Sequence, residues 1–306
     1  MATSRFIKDS GLTARMTLTM FLLGAMFVGL VVLVISYVNS AGGAVTVAVI
    51  AIGMAFWQWW SSDKIAMRAM RAREVTPEEA PELHGMIDRL CALADMPKPR
   101  VGVSDLPAAN AFATGRSPNR SVVCVTTGIL QTLDAEELEA VLAHELSHVA
   151  HRDVLVMTIA SSAGIAAGLL MRFTQFGGMG GRSRNSNNNG ALPVALVVLL
   201  VSLLVYAVSF VMLRVLSRYR ELCADRSGAY LTMKPAALAS ALQKISGESA
   251  AAIPTKDLRT ANAASSLCIV PAFAGGLSGL MATHPPLQQR LEQLARIQAE
   301  LGRPTG

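Results

Sequence analysis

Four long blocks without a charged residue stand out against the mixed polar and apolar pattern of the rest of the chain. They cover residues 16–38, 41–60, 154–171 and 191–213. About 20 apolar residues in a helix cross the hydrocarbon core of a bilayer, and each block is close to or above that length. The pattern therefore predicts a multi-pass membrane protein with four transmembrane helices, arranged as two hairpins.

The third block is the shortest and is rich in Ala, Ser and Gly. At that length, a buried amphipathic helix or a re-entrant segment is an alternative to a full span. Ala160, Gly164 and Gly168 recur every four residues, which would give a helix a face of small side chains suited to close helix packing.

The three tryptophans of the chain, Trp57, Trp59 and Trp60, lie at the end of the second block. Aromatic side chains are enriched where transmembrane helices meet the membrane–water interface. This favours an interfacial belt over the alternative that the rings pack on a soluble domain.

Basic residues near the span ends predict the orientation, because Lys and Arg concentrate on the cytoplasmic side. The turn at 39–42 has none, while Arg182 and Arg184 in the loop after the third block are an exception. The others are Arg5, Lys8, Arg15, Lys64, Arg68, Arg71, Arg73, Arg214, Arg218 and Arg220. We therefore expect the N-terminus and both polar regions in the cytoplasm.

The blocks predict four segments along the chain. Residues 1–60 form an N-terminal transmembrane hairpin and 61–153 a first cytoplasmic part, followed by a second hairpin at 154–213 and a second cytoplasmic part at 214–306. Each cytoplasmic part has only about 90 residues, so we expect the two to fold together.

Composition agrees with a membrane protein: 52% of the 306 residues are hydrophobic, 16% are charged, and mean hydropathy is +0.42. The net charge of +6 arises from residues at membrane borders, and no base-reading module accompanies it, so we expect no nucleic-acid partner. None of the four cysteines forms a CxxC pair, and all lie in predicted cytoplasmic regions, which argues against structural disulfides.

The run His144-Glu145-Leu146-Ser147-His148 is an HExxH motif. Asp134 and Glu137 have the spacing of a capping box, which predicts a helix start just before the motif. Apolar residues then recur at helical spacing at Leu138, Val141, Leu142 and Leu146. Two histidines one turn apart can hold one zinc ion, with Glu145 beside them as general base, although an isolated HExxH can also be a solvated helix.

A third ligand is expected in the second cytoplasmic part, where the last block continues into Arg-Glu-Leu-Cys-Ala-Asp at 220–225. Helical spacing places Glu221 and Asp225 on one face. A His, His, Glu set is a hydrolytic zinc arrangement, and Asp225 suits the position behind the ligands, where it would accept the outer N–H of a zinc-bound imidazole. The alternative for both acids is a solvated salt bridge with Arg218, Arg220 or Arg226.

The HELSH run, the hydrophobic segments after it, RELCAD, and Thr283-His284-Pro285-Pro286 with Arg290 together resemble the HtpX family of membrane zinc endopeptidases. More distantly, the chain is similar to the membrane proteases that process prenylated CAAX proteins. The resemblance covers nearly the whole chain. It implies a stress-response protease of the bacterial inner membrane with a cytoplasm-facing site, which degrades misfolded membrane proteins or unfolded polypeptides.

In this family the His284 segment lies near the site, where the imidazole could stabilise an oxyanion or cap the metal. A structural role at the entry of the final helix is the alternative. Arg290 also has two interpretations: it could contact the substrate, or it could be a surface charge.

Short strands are predicted at 100–103 and 121–125, around the family-like segment Asn110, Ala111 and Phe112. An exposed strand edge there could bind an extended peptide through its backbone, or it could be an ordinary sheet edge. His151 and Asp153 are left out of the ligand set, Asp153 being suited to a membrane border, and His84 is interpreted as a surface residue.

The sequence thus predicts a mainly α membrane protein with a small β-sheet and a zincin-type metalloprotease domain. Its function would be zinc-dependent hydrolysis of peptide bonds with one Zn²⁺ per subunit, although a mixed N and O site also accepts neighbouring metals. A catalytically silent zinc-binding scaffold or chaperone is the alternative. A transporter is disfavoured, because the four blocks lack ionisable residues. No sequence signal specifies the oligomeric state.

Overall fold

The computed structural model describes residues 9–36, 41–153, 156, 166–168, 191–251 and 284–302. These residues are mainly helical, with one small sheet, as predicted. The helices are α1 (Ser10–Ser36), α2 (Ala41–Trp60), α3 (Ser62–Ala69), α4 (Pro81–Ala94), α5 (Thr127–Thr132), α6 (Ala135–Ala150), α7 (Ala191–Thr232), α8 (Pro235–Ala251) and α9 (Leu287–Leu301). The strands are β1 (Ala72–Glu74), β2 (Arg100–Ser104), β3 (Ala111–Ser117) and β4 (Arg120–Thr126).

Two helices of the described part are long and apolar enough to cross a membrane, Ser10–Ser36 and Leu196–Thr232. Val45–Trp60 and Ser62–Ala69, bent by 60°, make a third span if the pair is counted as one. The predicted block 154–171 lies outside the described residues except for 156 and 166–168. Four spans are therefore not confirmed.

The chain divides into two compact units. One is drawn from Thr13–Trp60 and Val156–Leu216, and the other from Met1–Leu12, Ser61–Leu155 and Ser217–Gly306. The C-terminal part of α7, from Ser217 onward, belongs to the second unit, which we call the protease unit.

The sheet of the protease unit has the strand order β1-β2-β4-β3. Strands β2 and β4 run parallel, while β1 and β3 pair antiparallel with their neighbours. The predicted strands at 100–103 and 121–125 correspond to β2 and β4 and are confirmed. Strand β3, which contains most of the predicted substrate segment, lies at an edge of the sheet.

Helix α6 is buried along most of its length because its apolar residues pack on the sheet, on α4 and on α8. Its start is the predicted capping box: Asp134 Oδ1 accepts from the Glu137 N–H at 2.9 Å, and Glu137 Oε2 accepts from the Asp134 N–H at 3.0 Å. The Glu137 carboxylate also accepts from Ser240 and Lys244 of α8. The core includes Val123, Val125, Leu142, Leu146, Leu242, Ile245, Leu294 and Ile297.

Helix α7 meets α6 at Gly228, with almost no space between the two backbones. A Cβ atom at position 228 would lie 2.9 Å from the His144 backbone nitrogen and 3.2 Å from its Cα. Only glycine fits without a backbone shift, since real Cβ atoms essentially never approach another atom as closely as 2.9 Å. Gly228 thus allows α6 and α7 to pack closely at His144, the first histidine of the HExxH motif.

We expect Gly228→Ala to lower the thermal unfolding temperature of the detergent-purified protein. Overpacking against a backbone costs about 1–3 kcal/mol, which exceeds the gain in helix propensity from alanine. Gly247→Ala is the matched control, because a Cβ there meets nothing within 4 Å. That control should be neutral or more stable by up to about 1 kcal/mol. Equal stability of the two variants would contradict the proposed close contact.

Candidate metal centre and active site

His144, His148 and Glu221 come together in the protease unit, and their potential ligand atoms lie within 4.8 Å of one another. Helix α6 carries the two histidines one turn apart, and α7 supplies the glutamate. Glu221 Oε2 lies 3.5 Å from His144 Nε2, and Glu221 Oε1 lies 3.5 Å from His148 Nε2. All three residues are buried.

This group fits a transition metal by its chemistry and by its unsatisfied atoms. Among the described residues, the buried atoms His144 Nε2 and Glu221 Oε2 have no hydrogen-bond partner. Buried polar atoms are costly when unpaired, and a cation facing both would satisfy them. Two imidazole nitrogens with one carboxylate oxygen form a ligand set that zinc and neighbouring transition metals accept.

Asp225 lies behind His144, one turn along α7 from Glu221. Its Oδ1 is 2.9 Å from His144 Nδ1, the ring nitrogen that faces away from Glu221. The Asp225 carboxylate is held in turn by Arg290 of α9, which donates from Nε to Oδ2 at 2.7 Å and from a terminal nitrogen to Oδ1 at 2.6 Å. Asp225 is thus paired with Arg290, rather than with the arginines near it in sequence.

Arg290 is only 1% exposed, so the interpretation of this residue as a surface charge is wrong. One of its terminal nitrogens also lies 3.9 Å from Glu221 Oε2. Burial lowers the pKa of Arg290, but the neighbouring Asp225 and Glu221 carboxylates more than compensate, so the pKa is raised and the guanidinium stays charged. The periodicity of α9 identified its apolar face but contained no sign of this buried ion pair.

His284 lies directly before α9 and is also buried. Its Nδ1 is 3.0 Å from Glu221 Oε2. The structure therefore places His284 beside the glutamate of the candidate centre, as the family resemblance implied.

Asp153 is the site residue that sequence reasoning missed. Its Oδ2 lies 2.7 Å from His148 Nδ1 and 2.9 Å from Arg220 Nε, and the residue is 1% exposed. Burial raises the pKa of Asp153, but Arg220 and His148 more than offset this and hold the pKa below its usual value. Asp153 is therefore an anion at neutral pH.

Glu145 lies between the two histidines in sequence and is 5% exposed. Burial raises its pKa above the ordinary value, although the charges of His144 and His148 and a backbone hydrogen bond from Ala113 of β3 act in the opposite direction. A raised pKa makes the carboxylate a stronger base than a solvated glutamate, which suits a group that takes up a proton.

The predicted substrate segment has buried side chains. Asn110, Ala111 and Phe112 are at most 4% exposed, and Phe112 packs in a small core cluster with Ala66 and Cys124. The Asn110 carbonyl accepts from the Thr126 N–H of β4 at 2.9 Å, which fixes the start of β3 on the sheet. The side chains of this segment are therefore directed into the core and leave its backbone for contact with a substrate.

His84 is not a surface residue, which corrects the sequence interpretation. It is 7% exposed, and its Nε2 donates to the Val75 carbonyl at 3.1 Å. Cys91, Cys124 and Cys223 are buried free thiols, and the fourth cysteine, Cys268, lies outside the described residues.

The histidines, buried carboxylates and adjacent sheet edge define the class of a metal-dependent hydrolase. The family description "Peptidase family M48" matches residues 77–298. "Protease HtpX homolog 1" of Streptomyces coelicolor is 54% identical over 301 residues, which cover 98% of this chain and 97% of the relative. "Protease HtpX homolog" of Moorella thermoacetica is 48% identical over 96% of each chain.

A crystal structure of S. mikatae Ste24p superimposes with a TM-score of 0.53 at 17% sequence identity. The match covers 91% of this chain but 64% of that protein, so this chain spans less than two thirds of its length, and the likeness concerns the fold alone. The family match and the relatives show that the chain belongs to peptidase family M48. It is a membrane metalloprotease.

The stability of the metal-free protein should depend on pH through His144. Burial lowers the pKa of His144, but Asp225 and Glu221 raise it from 6.5 to about 9. A pKa raised by folding stabilises the folded state fully below pH 6.5, and this contribution is lost as the pH rises through about 9.

We therefore expect the unfolding temperature of the metal-free protein to fall by several degrees between pH 6.5 and pH 9. The His144→Gln variant should show a flatter profile over the same range, because the titrating group is gone. An increase in unfolding temperature over this range in the unsubstituted protein would contradict the assigned environment of His144.

Proposed function

We propose that the protein is a zinc-dependent endopeptidase that hydrolyses peptide bonds of misfolded membrane proteins or unfolded polypeptides. The observation that carries the proposal is the buried cluster of His144, His148 and Glu221 beside Glu145. Residues 61–153 and 214–306 would together form the zincin-type protease domain. The names of the relatives, protease HtpX homologues, support the same activity.

His144 and His148 would hold one zinc ion through Nε2, and Glu221 would hold it through its carboxylate. When bound, zinc would supply Lewis acidity, lowering the pKa of water toward about 7 and polarising the scissile carbonyl. The ligand set favours zinc, although neighbouring transition metals accept the same atoms.

Glu145 would act as general base and then as general acid. Its carboxylate would take a proton from the attacking water and deliver it to the nitrogen of the leaving amine. Burial supports this role because it raises the pKa of Glu145 toward neutral pH. A group whose pKa lies nearer the working pH can both accept and release a proton. The backbone hydrogen bond from Ala113 would hold the carboxylate beside β3.

His284 would assist the reaction next to Glu221. His284 Nδ1 lies 3.0 Å from Glu221 Oε2, so the imidazole would lie next to the third ligand. An N–H at His284 Nε2 could donate to the oxyanion that develops on the substrate carbonyl. Asp225 would fix the tautomer of His144, and Arg290 would hold Asp225 in place rather than meet the substrate from the surface.

The substrate would bind as an added strand on the free edge of β3. Pairing with β4 uses one side of β3, and the side-chain burial at Asn110, Ala111 and Phe112 leaves backbone groups for recognition. Main-chain hydrogen bonds give affinity with broad sequence tolerance, which suits a protease acting on unfolded chains.

The protein would reside in the bacterial inner membrane with the site facing the cytoplasm. Basic residues flank the hydrophobic segments on the side of both polar regions, as the positive-inside rule requires. A cytoplasmic site beside the bilayer would have access to membrane proteins that fail to fold, which supports a role in their quality control under stress.

The Glu145→Gln variant should retain stoichiometric zinc and lose at least about 10³-fold in cleavage of an unfolded membrane protein, because the proton acceptor is gone while the ligands remain. Glu136→Gln is the matched control on the same helix, since Glu136 forms an exposed ion pair with Lys234. It should cut at the normal rate. Cleavage is measured in detergent after zinc repletion and after chelation.

Equal cleavage by the Glu145→Gln and unsubstituted proteins would contradict the role of Glu145. If neither protein cuts any unfolded substrate although both bind zinc, the result would favour the catalytically silent scaffold instead.

Recognition by β3 can be tested on the substrate. Peptides N-methylated at backbone positions next to the cleaved bond should be cut at least about tenfold more slowly, because each methyl group removes a donor from strand pairing. Single side-chain replacements at the same positions should have smaller effects. Unchanged cleavage of all N-methylated peptides would exclude binding as an added strand.

A further inference from the structure

Asp153 contacts both His148 of the HExxH motif and Arg220 of α7, although it belongs to neither sequence motif. A single oxygen, Oδ2, lies 2.7 Å from His148 Nδ1 and 2.9 Å from Arg220 Nε. Asp153 is 1% exposed, while His148 and Arg220 are 7% and 9% exposed. The contact is therefore a buried arrangement of an anion with a cation and an imidazole.

The backbone after α6 brings Asp153 to His148. Residues five apart on a continuous helix point about 140° away from each other, so Asp153 could not reach His148 if α6 simply continued. Instead α6 ends at Ala150, and Arg152 adopts a left-handed conformation with φ of 57°. Such a conformation is unfavourable for a residue with a Cβ. Here it redirects the chain, and the carboxylate of the next residue reaches His148.

The contact defines which nitrogen of His148 faces Glu221. Asp153 accepts at Nδ1, so the proton of a neutral imidazole lies there and the Nε2 lone pair is free. His148 Nε2 is the atom that lies 3.5 Å from Glu221 Oε1. The orientation matches that of His144, whose Nδ1 faces Asp225 while Nε2 faces Glu221.

Each of the two carboxylates is itself held by an arginine. Arg290 of α9 binds Asp225, and Arg220 of α7 binds Asp153. Arg220 directly precedes Glu221 on α7, so the helix that brings the third ligand also contacts the carboxylate behind the second.

We propose that Asp153 is a positioning residue of the metal centre, which sets the tautomer and orientation of His148. The inference rests on the proposed metal site and adds a residue outside the motifs that predicted it. Asp153 contacts neither substrate nor metal and acts through His148 alone.

The test compares zinc affinities of two variants that break the same ion pair, measured by competition with a chromophoric chelator in detergent. Asp153→Asn removes the negative charge behind His148 and should weaken zinc binding about 10–100-fold. Arg220→Gln removes the cation but leaves the Asp153 carboxylate on His148. It should change the zinc affinity less than about threefold. Asp88→Asn, which breaks an exposed pair with Lys98, is the control and should bind zinc normally.

The two variants separate positioning from a structural ion pair. If only the loss of the ion pair mattered, zinc affinity would fall by the same factor in Asp153→Asn and Arg220→Gln. That result would overturn the inference. Normal zinc affinity of Asp153→Asn would overturn it too, while leaving the proposed function intact if the unsubstituted protein binds zinc and cuts. Absence of zinc binding by the unsubstituted protein would overturn the proposed function and this inference together.

Thermal unfolding of each metal-free variant shows whether it folds. If Asp153→Asn does not fold, Asp153→Glu provides the same comparison, because it keeps the charge and moves the carboxylate by one methylene. We expect this variant to bind zinc at least about threefold more weakly at an unfolding temperature near that of the unsubstituted protein. Unchanged affinity in Asp153→Glu would overturn the inference.

Discussion

The contact between α6 and α7 is the constraint on which the candidate metal centre depends. Helix α6 offers two imidazoles on one face, but these two ligands cannot form a hydrolytic metal site without a third. Glu221 reaches them from α7 because Gly228, two turns further along the same helix, lies against the backbone of His144. The capping box and the Glu137 contacts with α8 then hold α6 against the rest of the protease unit.

Bringing these groups together places several charges in a buried environment. Glu145, Asp153, Glu221 and Asp225 are each at most 5% exposed. An isolated buried carboxylate is strongly disfavoured, so each needs a partner of opposite charge or a hydrogen-bond donor. Arg290 and Arg220 neutralise two of them from behind the histidines, and a bound cation would face Glu221. The charge balance thus favours a site completed by a metal.

The helical parts of the site were predictable because a helix has a fixed period. The capping box at Asp134, the shared face of His144 and His148, and the continuation of α7 past Glu221 all follow from spacing within a few turns. Strands β2 and β4 were predictable from short apolar runs between polar loops. These features depend on residues close together in sequence.

The remaining features depend on partners distant in sequence or on backbone geometry. Arg290 appears as a surface charge on an amphipathic helix until its partner Asp225, 65 residues earlier, is known. Asp153 lies five residues after His148, and only the left-handed turn at Arg152 brings it back. His84 lies in α4, and its buried ring donates a hydrogen bond to the Val75 carbonyl, nine residues earlier. Spacing along one helix contains none of this information.

Zinc-edge X-ray absorption of the purified protein would show whether His144, His148 and Glu221 hold the metal, because it measures the atoms around the metal without requiring a known substrate. The arrangement of His144, His148 and Glu221 predicts one zinc per chain, with nitrogen and oxygen ligands at about 2.0–2.2 Å. Substitution of Glu221 by Gln should remove one protein ligand. Sulfur ligands at about 2.3 Å, or a spectrum unaffected by substitution of either histidine, would contradict the account.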